Sequence, residues 1–173
     1  ISEVIDGYLR KQEDRLRRGL TEETHRTGSG DVEFTSFGLE SVDGAAIPLA
    51  RSGQDVVLVF GFRNTTGRTL HNVDVGFSLV TAKGQPLSVL YGSYTGKHHT
   101  IEAGEGRFRC RLSRLHLAPG QYRVGGRLLV GGEEADYPLD GLGLLEVEGG
   151  DFYGTGHAGF DGPTPIMLDG TWT

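Results

Sequence analysis

Four segments of this chain alternate apolar and polar residues with a period of two, and that period commits them to β-strands. The cleanest is Arg107–Ser113, RFRCRLS. Successive side chains of a strand leave opposite faces of the backbone. Phe108, Cys110 and Leu112 therefore share one face, and Arg107, Arg109 and Arg111 the other. Asp55–Asn64 places Val56, Leu58, Phe60 and Phe62 on one side. Val73–Thr81 sets Val75, Phe77 and Leu79 inward and Asp74, Gly76 and Ser78 outward. Tyr122–Val130 turns Tyr122, Val124, Leu128 and Val130 inward and Arg123 and Arg127 outward. Shorter runs at Val32–Leu39, Leu87–Tyr91 and Leu142–Val147 bring the expected strands to about seven.

The connections are short and contain Thr66-Gly67, Lys83-Gly84 and Gly131-Gly132. The chain holds 29 glycines without a three-residue period, which suits many turns rather than a collagen repeat. Regularly spaced strands with no helical segment between them predict an all-β fold, an immunoglobulin-like or jelly-roll antiparallel sandwich. The segment Leu117-Ala118-Pro119-Gly120-Gln121-Tyr122 fits a tyrosine corner, in which a strand-opening tyrosine bonds back to the connection crossing between sheets. That places Arg107–Ser113 and Tyr122–Val130 in different sheets. Before the strands, Val4, Ile5, Tyr8 and Leu9 recur at helical spacing, so residues 1–20 are expected as a helix. Residues 21–30 read as a polar linker, and 31–173 as the sandwich.

Composition excludes several classes. A net charge of −6 argues against a general nucleic-acid binder. One cysteine, Cys110, rules out an internal disulfide framework and makes a reducing, cytoplasmic setting the simplest expectation. No apolar run approaches the ~20 residues of a membrane-spanning helix. The chain opens on Ile1 with no signal peptide and no initiator Met, so a fragment of a longer protein is expected. Gly92–Lys97 lacks the first glycine and the final Ser or Thr of a phosphate loop, the positions being Tyr91 and His98. Gly154–Gly159 has the spacing of a dinucleotide fingerprint, but Asp161-Gly162-Pro163 breaks the helix that this mechanism requires. His98 and His99 are adjacent and would face opposite ways on a strand, with no acidic or cysteine cluster beside them. No nucleophile arrangement is visible. The expectation is a non-enzyme without cofactor or metal.

The outward faces carry the candidate chemistry. Asp74, Ser78, Arg123 and Arg127 offer fixed hydrogen-bonding groups suited to hydroxyls or acidic groups; a solvated sheet face is the alternative. The Arg107/Arg109/Arg111 row suits an anion, or else pairs with acids across strands. Tyr91–His99 adds Tyr94 and His98 as an aromatic and a donor, whereas Tyr91 itself could be core. The tail holds Ile166, Met167, Leu168 and Trp172, which need a surface, either a partner subunit or the chain's own sandwich.

The order of features resembles one family. The helix carries Glu3-Val4-Ile5-Asp6-Gly7-Tyr8-Leu9; a strand follows Ser52-Gly53-Gln54-Asp55; then come Leu115–Tyr122, Asp151-Phe152-Tyr153-Gly154-Thr155-Gly156 and Trp172. Together these resemble the C-terminal domain of the ATPase subunit of O-antigen polysaccharide ABC exporters. The resemblance implies a cytoplasmic module that binds a lipid-linked polysaccharide before export. It also implies an upstream nucleotide-binding domain, a membrane transport subunit, and a homodimer that exchanges its terminal strand. An immunoglobulin-like domain for protein interaction or adhesion is the alternative.

Overall fold

The computed structural model describes residues 24–159 and 162–173, together with Gly7, Lys11, Gly19 and Leu20. The helix expected over residues 1–20 lies outside the described residues except at these four positions, of which Gly7 and Lys11 are helical.

Twelve strands stand among the described residues. They are β1 (Arg26–Thr27), β2 (Val32–Glu40), β3 (Ala46–Ile47), β4 (Ala50–Arg51), β5 (Val56–Asn64), β6 (Leu70–Thr81), β7 (Pro86–Tyr91), β8 (His99–Ile101), β9 (Gly104–Leu112), β10 (Gly120–Val130), β11 (Glu133–Pro138) and β12 (Gly143–Glu148). A single 3-10 turn, Gly92–Thr95, follows β7. The smaller sheet runs β3-β2-β5-β9, with every pairing antiparallel. The larger is built around β10. One edge of β10 pairs with β6 from Tyr122 to Val130; the other pairs with β12 and then β11. β7 and β8 both pair with β6, β4 lies parallel to β12, and β1 caps β11. β9 and β10 thus fall in different sheets, as the tyrosine corner requires.

Period two decides the core. Leu58 and Phe60 from the smaller sheet meet Phe77, Val124, Leu128 and Leu145 from the larger, and all are buried. Phe60 sits at the centre: its ring stacks on Phe77 at 5.5 Å and lies 6.2 Å from Phe34. Burying one such side chain stabilises by roughly 1.5–3 kcal/mol, so these layers carry the fold. Gly126 is required between them. A Cβ there would come within 2.9 Å of the Phe34 ring and closer still to Leu142. The corner forms as expected: the buried Tyr122 hydroxyl donates to the Ala118 carbonyl at 2.7 Å. The Gly131-Gly132 pair closes the β10–β11 hairpin with both residues at positive φ, the geometry of a two-residue type I′ turn.

The structure adds to the sequence reading, and resolves one alternative that it left open. Within the expected linker, Arg26–Thr27 forms β1, and Ser29 and Gly30 donate to the Glu134 and Ala135 carbonyls. The acidic segment Glu133–Pro138 is a strand because β10 and β1 supply ladder partners on both sides. The tail, for which a partner surface was one option, touches its own sandwich. Ile166 bridges Leu117, Met167 donates its amide to His116, and the Met167 side chain is buried with Ala118 and Phe152. Leu168 and Trp172 remain exposed.

One carboxylate fastens the start of the domain. Asp136 on β11 is fully buried; its Oδ2 accepts from the Phe34 amide at 2.8 Å and from Arg26 Nη1 at 3.0 Å. Burial pushes its carboxyl above the ordinary aspartate range, outweighing the amide and Arg26, which favour the charged form. Asp136→Ala strands a buried amide and a largely covered guanidinium. It is expected to lower the unfolding free energy by roughly 3 kcal/mol, read by urea denaturation; a loss below about 1 kcal/mol would show that the link is dispensable.

Candidate functional site

The outer face of the larger sheet carries a shallow groove of about 280 Å³. Register builds it. Gly76 on β6 lies opposite Tyr91 on β7 and opposite Arg127 on β10, while Ser78 lies opposite Val89 and Gly125. Two of these positions are glycines, and the Tyr91 ring and the Ser78 hydroxyl take up the space beside them. A Cβ on Gly76 would sit 2.7 Å from Cζ of Tyr91, so the absence of a side chain lets the Tyr91 ring lie over the strand. Val89, Tyr91, Arg127, Glu134 and Tyr137 form the walls, and Val89 and Tyr137 are exposed.

The polar groups of the groove are held in place. Arg127 Nε donates to Glu134 Oε2 at 2.7 Å, and the Thr27 hydroxyl donates to Glu134 Oε1 at 2.6 Å. The Arg127 guanidinium lies 5.9 Å from the Tyr137 ring centre. Its bond to the Tyr91 hydroxyl, with Glu134 second, raises Arg127 further above its ordinary value. The bond from Thr27, then Arg127, holds the Glu134 carboxyl below the usual glutamate range. At neutral pH the groove therefore presents a fixed cation, a fixed anion and two aromatic rings.

The six candidate residues do not converge. Ser78 and Arg127 line the groove. Arg123 shares their outer face but stands four residues from Arg127, about 13 Å along the strand, and its Nη2 reaches toward the turn at Gly84. Asp74, expected on a solvated face, is only 6% exposed, a correction to the parity reading. Parity gives it the outer face, but the 3-10 turn folds over it, and its Oδ1 accepts the Ser93 amide at 3.0 Å. Asp74 thus positions the loop rather than facing solvent. Tyr94 on that loop is 68% exposed with its ring 5.4 Å from Tyr91. His98 is exposed just before β8. Sequence reasoning passed over Tyr91, Val89, Glu134 and Tyr137. Outward parity with Gly76 and Ser78 would have found Tyr91 and Val89 once β7 was paired with β6. No cluster of three or more His, Cys, Asp or Glu suited to a metal occurs among the described residues.

Comparison with known proteins adds the relationship. The family model of the Wzt C-terminal domain matches residues 23–142. The chain is similar to the crystal structure of the C-terminal domain of wzt. The TM-score is 0.67 at 18% identity, covering 93% of this chain and 95% of that one, a likeness of fold. Looser resemblances reach TM-scores of 0.44. One is to the alkylpurine DNA glycosylase AlkC of Pseudomonas fluorescens, at 18% identity over 70% of this chain and 31% of that one. The other is to a Niemann-Pick type C2 protein from Japanese carpenter ant, at 10% identity over 72% and 98%. No curated protein matches the sequence.

The opposite outer face behaves differently. Arg107, Arg109 and Arg111 project from β9, and acids of the same sheet face meet them. Arg109 Nε donates to Glu40 Oε2 at 2.9 Å, Arg107 lies 3.8 Å from Glu40, and Arg111 Nη2 bonds Asp55 at 2.6 Å. The bond from Arg109 holds the Glu40 carboxyl below its ordinary range, and the bonds from Arg111 and the Arg114 amide do the same for Asp55. Both carboxyls have folded values beneath their unfolded ones. Their contribution is present above the unfolded pKa and is lost as pH falls through the folded value. The thermal midpoint is therefore expected to drop between about pH 4.5 and pH 3, and Glu40→Gln to flatten that drop. An unchanged profile in the variant would remove Glu40 from the acid response.

Proposed function

Because this chain belongs to the Wzt C-terminal domain family, we propose that it is a non-catalytic module that binds a bacterial surface polysaccharide of O-antigen type and presents it for ABC-transporter export. The observation that carries this reading is the groove between Tyr91 and Tyr137. A sugar ring has an apolar face and a polar rim. An exposed aromatic beside a fixed cation, a fixed anion and a hydroxyl answers both. With no side chains of their own, Gly76 and Gly125 let the Tyr91 ring and the Ser78 hydroxyl settle over the strands, and an extended polymer lying across β6 and β10 would meet these two groups.

Ser78 and Arg127 act directly in this reading, with Tyr137 and Tyr91 as platforms. Tyr94, held beside Tyr91 by the Asp74-capped loop, extends the aromatic surface, and His98 and Arg123 serve the polymer outside the groove. The setting is cytoplasmic, peripheral to the inner membrane through the transporter. The partners are an upstream nucleotide-binding domain, a membrane transport subunit, a lipid-linked polysaccharide and a second copy of the chain. No helix among the described residues is long and apolar enough to cross a membrane. The exposed Leu168 and Trp172 beyond the docked Met167 support a homodimer contact.

Binding is expected to be weak, since a shallow groove covers little of a ligand. Arg127→Ala should weaken binding to the source bacterium's own polysaccharide tenfold or more, the loss of a contact worth roughly 1.5–3 kcal/mol. Tyr137→Ala should act in the same direction. Stability should change by only about 0.5 kcal/mol for such surface positions, and Arg109→Ala on the other sheet should bind as wild type. Titration calorimetry reads all four proteins. Loss confined to Arg109→Ala would move the site to the smaller sheet, and absence of binding by the wild-type chain would reject the carbohydrate reading. Light scattering should give twice the 18.7 kDa chain mass; a purely monomeric species at micromolar concentration would remove the dimer.

A further inference from the structure

The two sheets do not close along one side of the sandwich. β9 ends the smaller sheet, β7 and β8 pair on the margin of the larger, and a cleft of about 350 Å³ opens between them. Its walls are Phe60, Val75, Phe77, Leu90, Phe108 and Cys110. All six point inward by strand parity, yet Val75, Leu90 and Cys110 are only partly buried. In a sandwich whose inner faces interdigitated along their whole width they would be covered.

Lys97, His99, Arg109 and Arg111 border the mouth of this cleft. Arg109 and Arg111 are engaged by Glu40 and Asp55. The Lys97 side chain has no ion pair among the described residues. The His99 and Phe108 rings meet edge to face with their centres 4.9 Å apart, and burial, then Lys97, pushes the His99 pKa down, which favours the neutral ring in the wall.

We propose that the cleft binds the single apolar chain of an amphiphile with an anionic head, the chain lying among Phe60, Phe77 and Phe108 and the head meeting Lys97. Three features agree on this occupant. The volume falls at the lower end of the ~300–1,000 Å³ range of small-molecule sites, enough for one alkyl chain and too little for a folded partner segment. The lining is apolar and aromatic. Lys97 places one ammonium at the entrance, exposed and clear of the buried Asp74 side chain that the 3-10 turn covers. The cleft adjoins the glycan groove, with Phe77 and Tyr91 lining both, but lies on the inner side of the sheet and does not depend on that reading.

Cys110 is the chain's one cysteine and lines the cleft, so its alkylation reports occupancy in the unmodified protein. Burial raises its thiol pKa, so the reaction with N-ethylmaleimide is followed at mildly alkaline pH. Dodecanoate, below its micelle concentration, is expected to slow alkylation at least fivefold, and hexanoate at the same concentration to have little effect. Affinity should rise about fourfold per added methylene until the cleft is full. Lys97→Glu should raise the dodecanoate needed roughly tenfold while leaving protection by the uncharged dodecanol unchanged. Cys110→Phe, which fills the cleft from its wall, should abolish dodecanoate binding by calorimetry; should that variant not fold, the wild-type alkylation series decides alone. Unchanged alkylation in dodecanoate would overturn the proposal. So would equal loss of dodecanol and dodecanoate protection in Lys97→Glu, since the head would then play no part. Protection that grows with protein concentration without any additive would assign the cleft to a second copy of the chain and overturn it as well.

Discussion

The buried carboxylate of Asp136 ties together two sheets that share no ladder and reinforces the two-residue ladder between β1 and β11. It belongs to β11 in the larger sheet, accepts the amide of Phe34 in the smaller one, and takes the guanidinium of Arg26 from β1. Burying a carboxylate is costly unless hydrogen bonds and an opposite charge compensate it. Here both offset part of that cost through Oδ2, each from a different strand, while Oδ1 accepts no hydrogen bond among the described residues and burial still raises the carboxyl. The ring of Phe34 can then pack 6.2 Å from Phe60, and the central aromatic layer follows. β1 is only two residues long and would not remain on a sheet edge by its ladder bonds alone.

The two outer faces of the sandwich show how similar compositions give different surfaces. On the smaller sheet, arginines at alternate positions of β9 meet Glu40 and Asp55, and the charges largely satisfy one another. On the larger sheet, Arg127 is paired too, but the glycine opposite it lets the Tyr91 ring lie over the strand beside the pair. Exposed pairs of this kind contribute little stability; what they fix is geometry. Placed beside Tyr91 and Tyr137, Arg127 and Glu134 become oriented groups at the edge of an apolar surface. The absence of two side chains, as much as the presence of four, makes the groove.

Most of the fold was legible because period two is a local signal. The strands at 55–64, 73–81, 107–113 and 122–130 each contain enough alternation to fix both type and face, and Tyr122 announced the crossing between sheets. β11 was not legible: Glu133-Glu134 opens it and Pro138 closes it, and only pairing with β10 and β1 makes it a strand. The same limit governs the site. Parity placed Ser78 and Arg127 on one face correctly. It also placed Asp74 there, where a turn twenty residues downstream covers it. Arg123 and Arg127 looked like neighbours in sequence, yet a strand separates them by more than a sugar ring. Tyr137 and Glu134 reach the groove through long-range pairing that no local pattern encodes.

Glu134 has two donors on one carboxyl group: Arg127 of the groove and Thr27 of β1. The segment that leads into the domain is therefore fastened at the groove's own rim rather than at the far pole of the sandwich. A load applied to a polymer lying there would act on a very short lever arm about that attachment. The β1–β11 ladder and the Arg26–Asp136 bond hold the same stretch, so β1 and the groove rim would be displaced together as one body.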